Sequence, residues 1–208
     1  MKVVLFHHLQ KGNAPEVARK VCLALHRNGM EVWADLRCLG LLGDMSFICY
    51  APFLEAVQDA DVAVAIGGDG TILHCARHVV GTKAKLLGIN TGRLGFLANT
   101  GDEGVIAVVA SALAGDVVAE QRTNLRIDVV CEGEPDPWGD DDEAAAHDVD
   151  DPARTFFALN ELAVTRGANG RIIDFSLGIS GAHIADMRGD GLVVATATGS
   201  TAYALSAG

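Results

Sequence analysis

The sequence predicts an α/β N-terminal domain with a parallel sheet, followed by a β-rich C-terminal domain. Three observations carry this. Up to about residue 113, short apolar runs alternate with stretches of helical periodicity, the pattern of strands joined by helical crossovers. Two of the runs end in glycine-containing turns, Gly67–Thr71 and Asn90–Leu97, and ligands of such sheets bind beyond the carboxyl ends of strands. From about Val117 the segments become strand-like with little helix between them. We place the boundary near Arg122, giving domains 1–121 and 122–208.

Lys2 to Phe6 reads as a buried strand. Pro15 suits the first turn of a helix reaching about Asn28, with Val17, Val21 and Leu25 on one face and Gly29 as a stop. Glu31 to Ala34 is a second strand, and Pro52 opens a short helix towards Gln58. Asp61 to Ile66 is the strand that delivers Gly67-Gly68-Asp69-Gly70-Thr71, with a helical stretch over Ile72–His78. Lys85 to Ile89 forms another strand, and 102–113 a helix. In the second domain Leu125–Val130, Phe156–Thr165, Ile172–Ile179 and Leu192–Thr196 read as strands.

Composition narrows the function classes. The net charge is −11, yet ten acidic residues and no Lys or Arg lie between Glu132 and Asp151. Without them 17 acidic residues face 16 basic ones, so the body is nearly neutral and suits an anionic ligand. The stretch 132–152, with three prolines, reads as a solvated loop; its acidic spacing does not match an EF-hand. Five cysteines, Cys22, Cys38, Cys49, Cys75 and Cys131, form no CxxC pair and read as reduced thiols of a cytosolic protein. No signal peptide is visible, and the apolar stretch Gly104–Gly115 falls short of the roughly 20 residues that span a bilayer. No basic stripe interleaved with aromatics points to nucleic acid.

The Gly67–Thr71 turn is the chemical centre. Glycines permit close backbone approach, and a helix N-terminus adds partial positive charge, so the turn can face a phosphate. A carboxylate there is wrong for merely holding phosphate, which points Asp69 towards a hydroxyl or a metal ion and hence towards phosphoryl transfer. Asn160-Glu161 interrupts an apolar strand-like segment. The pair suits ribose hydroxyls at a strand bend; the alternative is a buried polar pair satisfied by neighbouring backbone. Gly189–Gly208 runs from a strand into a Thr/Ser/Gly turn and a helix start, with Ser200 or Thr201 as cap and Tyr203 able to stack on a flat ring. His74 and His78 share a helix face but read as packing histidines, and Arg93 as a phosphate ligand or a loop anchor. Neither a P-loop nor a GxGxxG fingerprint is present.

These blocks together resemble the NAD kinase family, whose GGDGT, GRLGF, NE and GDG…TPTGSTAY segments match Gly67–Thr71, Gly92–Phe96, Asn160–Glu161 and Gly189–Tyr203 in order. The resemblance implies transfer of the γ-phosphoryl group of ATP, or of polyphosphate, to the 2′-hydroxyl of the adenosine ribose of NAD. A divalent metal ion, magnesium foremost, assists. It implies Asp69 as general base or orienter of that hydroxyl, with Gly68, Gly70 and Thr71 near phosphate. Asn160 and Glu161 match the ribose-holding pair. Thr198, Thr201, Ala202, Tyr203 and Ser206 match the segment around the adenine and nicotinamide halves. Phe96 and Asp190 match positions lining the same cleft, in part across a subunit interface, which implies a homo-oligomer.

Two departures stand out. Ala197 replaces the family's usual proline, a loss of about 0.4–1 kcal/mol of preorganisation if the turn is otherwise kept. The chain also stops at Gly208, inside the helix-start motif; we expect a fragment of a longer reading frame, with the β-rich domain incomplete. Besides an NAD kinase, a non-catalytic NAD-binding or assembly protein and a lipid or sugar kinase sharing the GGDGT turn are the alternatives.

Overall fold

Alternation along one strand sets the layers of the first domain. In β1 (Lys2–His7) the side chains of Val3 and Leu5 enter one core, and those of Val4 and Phe6 enter another on the opposite face. The computed structural model describes residues 1–7, 13–91, 97, 104–134, 154–167 and 170–208. Arg93, Phe96 and most of the acidic stretch lie outside the described residues.

The first unit, Met1–Gln121, holds a five-stranded parallel sheet ordered β3-β2-β1-β4-β5. Its other strands are β2 (Glu31–Asp35), β3 (Ile48–Ala51), β4 (Val62–Gly67) and β5 (Lys85–Asn90). Helix α1 (Ala14–Arg27) has Pro15 at its start and a positive φ at Gly29 just beyond its end; Val17, Val21 and Leu25 are buried as the periodicity predicts. With α4 (Val105–Ala114) it covers Leu5, Val64 and Ile66. Helices α2 (Phe53–Ala56) and α3 (Asp69–Val79) supply the opposite core, against Phe6, Ala63 and Ala65. Both faces being covered, the central strands read as continuous apolar runs. β3 escaped the sequence reading because four residues at a sheet edge show no period. Among the described residues no helix is long and apolar enough to cross a membrane.

The 5% exposed Asp35 ends β2 and accepts from the Arg37 backbone N–H at 2.8 Å and from its guanidinium at 2.8 Å on each oxygen. Burial alone would raise the Asp35 carboxyl; the Arg37 hydrogen bonds and charge outweigh it, and the group titrates below the usual range. A depressed carboxylate contributes stability that is present above its unfolded pKa, about 3.9, and is lost as pH falls through the folded value. Thermal melts from pH 7 to pH 3 are therefore expected to show Asp35→Asn below wild type at neutral pH. The gap should begin to narrow below about pH 4, and a gap independent of pH would refute this linkage.

The second unit, Arg122–Gly208, is built from antiparallel pairs. β6 (Leu125–Asp128) pairs with β7 (Thr155–Ala158), β8 (Glu161–Thr165) with β11 (Gly191–Ala195), and β9 (Ile173–Ile179) with β10 (Ala182–Gly189). The single strand expected over Phe156–Thr165 is two strands, broken at Leu159-Asn160. β10 was not predicted, because its sequence, AHIADMRG, carries no sustained apolar run; pairing with β9 holds it. A 3₁₀ turn (Gly199–Thr201) precedes α5 (Tyr203–Ala207). The cap of α5 is Ala202, with no side-chain bond, and not Ser200 or Thr201 as expected; the intervening 3₁₀ turn shifts the helix start.

Candidate functional site

At the first candidate centre, β4 ends on Gly67, which pairs with Asn90 of β5. Gly68 is extended, and its carbonyl accepts from Thr71 and Ile72 at 2.9 and 3.2 Å. The helix therefore begins at Asp69, three residues before the expected start, so Asp69 is its first residue. That position has a structural benefit of its own, since an acid in the first turn complements the helix dipole by about 0.3–1 kcal/mol. Asp69 is half-buried, and its Oδ1 accepts from the Leu97 backbone N–H at 3.3 Å.

The three glycines of the turn differ. A Cβ on Gly67 would lie 2.4 Å from Oγ1 and 2.8 Å from Cβ of Thr71, so its absence lets the buried Thr71 side chain pack under the turn. Among the described residues a Cβ on Gly68 or Gly70 would meet nothing within 4 Å. Both are exposed, and the first amides of a helix have no intrahelical acceptor. The turn thus presents open backbone with one carboxylate beside it.

The second centre lies where β8 begins. Leu159 and Asn160 break the strand, and Thr196, after β11, fills the break. The Thr196 backbone N–H donates to the Asn160 carbonyl at 2.8 Å, and its hydroxyl donates to the Leu159 carbonyl at 2.6 Å. Gly199 packs on the same place: a Cβ there would sit 2.0 Å from the Asn160 carbonyl oxygen. Break and turn are held as one body.

Within it Asn160 Oδ1 and Glu161 Oε2 are buried with no hydrogen-bond partner among the described residues. Each such acceptor costs about 1–3 kcal/mol. For these two atoms, satisfaction by neighbouring backbone is not what the structure shows. Thr198 is half-buried and its hydroxyl accepts from the Arg122 guanidinium at 3.1 Å. Ala202 is half-buried; Thr201, Tyr203 and Ser206 are exposed. Asp190 is exposed between β10 and β11, with the Arg166 guanidinium 3.3 Å away. The ladder pairs Ala195 with Glu161 but Gly191 with Thr165, so Asp190 lies just past its other end, roughly 16 Å of strand from Glu161.

Thr196 and Arg122 were not picked out from sequence. A threonine between strand and turn carries no signal of its own; its role depends on Leu159, 37 residues away. His74 and His78 pack around Phe6, with ring centroids 5.2 and 6.1 Å from it. Burial, with His74, Arg77 and Arg37 nearby, lowers the His78 imidazole against a small opposing effect of Asp35. None of the five cysteines is in a disulfide, and burial pushes the Cys22 thiol up to about 12 and Cys38 to about 11. Among the described residues no three His, Cys, Asp or Glu side chains gather as a metal site.

Residues 3–117 match the family model for the ATP-NAD kinase N-terminal domain, and residues 159–208 the one for its C-terminal domain. The NAD kinase of Aromatoleum aromaticum is 34% identical over 95% of this chain and 61% of its own length. That of an Azoarcus species is 32% identical over 99% of this chain and 64% of its own. The chain thus spans less than two thirds of the length of these curated relatives. The crystal structure of yeast NADH kinase complexed with NADH superposes with a TM-score of 0.82 at 22% identity, covering 100% of this chain and 61% of that one, a likeness of fold. An NAD kinase from Archaeoglobus fulgidus in complex with ATP gives a TM-score of 0.62 at 27% identity, over 100% of this chain and 66% of the other.

Proposed function

The chain belongs to the NAD kinase family, and from that premise we propose that it phosphorylates the 2′-hydroxyl of the adenosine ribose of NAD to give NADP. ATP is the proposed donor, in keeping with the archaeal relative's complex, with polyphosphate as the alternative. The observation that carries the reading is the pair of buried, unpartnered acceptors, Asn160 Oδ1 and Glu161 Oε2. Two ribose hydroxyls are donors that would satisfy both and relieve their desolvation cost.

In this reading residues 1–121 hold the donor and 122–208 the dinucleotide. The exposed backbone at Gly68 and Gly70 faces donor phosphate, with Thr71 supporting the turn from beneath. Asp69 orients the ribose hydroxyl and accepts its proton as the oxygen attacks the γ-phosphorus; the bond from that phosphorus to the bridging oxygen breaks and ADP leaves. Little covalent work falls to the protein in such a transfer, so positioning dominates. Thr198, Thr201, Ala202, Tyr203 and Ser206 flank the dinucleotide. Phe96 and Asp190 complete the site, in part across a subunit interface of a homo-oligomer, and the protein works in the cytoplasm.

A divalent ion would neutralise donor phosphate charge. The described residues offer no ligand set of their own for it, and no step above runs through it.

A second reading rests on the chain's coverage of 61% and 64% of its relatives: a portion that binds NAD without turnover. Incubation with NAD, ATP and magnesium, with NADP read by an NADP-specific dehydrogenase, is expected to show product from the chain continued to the end of its reading frame, with the 208-residue chain assayed beside it. NAD binding without product would favour the second reading. Phosphorylation of a lipid or sugar in place of NAD would move the chain to the sister kinases.

A further inference from the structure

We infer that Thr196 is a positioning residue for the dinucleotide, a clasp whose hydroxyl holds the strand break in the one arrangement that leaves Asn160 Oδ1 and Glu161 Oε2 free for ligand. The inference rests on the reading of that pair as the ribose-binding element and adds a residue that itself touches no substrate.

Every polar group of Thr196 is engaged. Its N–H donates to the Asn160 carbonyl at 2.8 Å, its carbonyl accepts from Ser200 at 3.0 Å, and its hydroxyl donates to the Leu159 carbonyl at 2.6 Å while accepting from the Gly199 N–H at 3.1 Å. The side chain is 6% exposed, so water does not compete for these bonds. One residue thereby ties together both carbonyls of the break and two amides of the following turn.

The consequence for the neighbouring side chains is direct. An interrupted strand exposes backbone acceptors and donors, and nearby Asn and Glu side chains ordinarily turn back to satisfy such groups. Thr196 takes up the donors that could otherwise turn to these acceptors: its oxygens accept from the Gly199 and Ser200 N–H groups and its own N–H goes to the Asn160 carbonyl, so Asn160 Oδ1 and Glu161 Oε2 stay available. Gly199 closes the arrangement, because a Cβ there would overlap the Asn160 carbonyl. The hydroxyl, and not merely a β-branched shape, is the part that matters.

The test compares Thr196→Val, which keeps shape and loses the hydroxyl, with Thr196→Ser, which keeps the hydroxyl. NAD affinity is measured by calorimetry on the 208-residue chain, well below each variant's unfolding midpoint. Valine is expected to weaken NAD binding by about tenfold or more, and serine to stay within about twofold of wild type. A merely structural role would lower the unfolding midpoint and leave the dissociation constant at low temperature unchanged, and that result overturns the proposal. Wild type failing to bind NAD overturns the reading of the site and this inference with it, whereas wild type and valine binding equally overturns the inference alone. Should Thr196→Val not fold, amide hydrogen exchange on the wild-type chain decides. Saturating NAD must slow exchange at the Thr196 and Gly199 amides by about tenfold; unchanged exchange there is the contrary result.

Discussion

Asp69→Asn is expected to reduce the rate of NADP formation by about 10²–10⁴-fold while leaving the protein folded. The substitution is nearly isosteric. Its amide oxygen can still accept from the Leu97 N–H, which stands 3.3 Å from Asp69 Oδ1. What asparagine cannot do is take the proton that the ribose hydroxyl must release. Loss of charge from the first turn of α3 should cost about 0.3–1 kcal/mol of stability, far less than the catalytic loss. The two roles of this acid, helix partner and proton acceptor, thus separate by magnitude. The decisive measurement is kcat and the Michaelis constants beside a thermal melt. A variant retaining its rate within about tenfold would show that Asp69 serves the helix and not the transfer.

Gly199→Ala carries the largest expected effect on binding. The added Cβ would stand 2.0 Å from the Asn160 carbonyl oxygen, 2.4 Å from its carbon and 2.7 Å from its Cα. All three are backbone atoms, so no side chain can swing aside. Either the turn lifts from the break or the break moves, and both outcomes disturb Asn160 and Glu161. We expect destabilisation of the second unit by about 3 kcal/mol, the upper end of overpacking costs. NAD affinity should fall by about 100-fold or more. Gly167→Ala, where an added Cβ meets nothing within 4 Å, is the matched control and should melt and bind like wild type. Calorimetry and melts on the two variants check this; wild-type affinity in Gly199→Ala would mean that the turn and the pair are not mechanically joined.

The legible parts of the chain were those whose pattern is local. Val3–Phe6 and Val62–Ile66 sit between two helical layers, so their apolar runs are uninterrupted. Val17, Val21 and Leu25 mark one face of α1 by spacing alone. The missed strands had no such mark: Ile48–Ala51 is an edge of four residues, and Ala182–Gly189 is mostly exposed. Of the site, the glycine turn and the Asn160-Glu161 pair stood out as chemistry in the wrong-looking place, a carboxylate by a phosphate cradle and two polar residues in an apolar run. Phe96 lies outside the described residues, and Asp190 sits one ladder length from the pair.

Sequence by itself determined which segments alternate between strand and helix, where the glycines open a turn, and that nearly all excess charge sits in one stretch. These depend on periodicity and composition over a few residues. Tertiary structure alone decided the strand order, the split of β7 from β8 and the isolation of two buried acceptors. Each arises from partners far apart in the chain, as when the Thr196 hydroxyl meets the Leu159 carbonyl across 37 positions. Whether a buried polar atom has a partner is a property of what packs around it, and no local pattern encodes that.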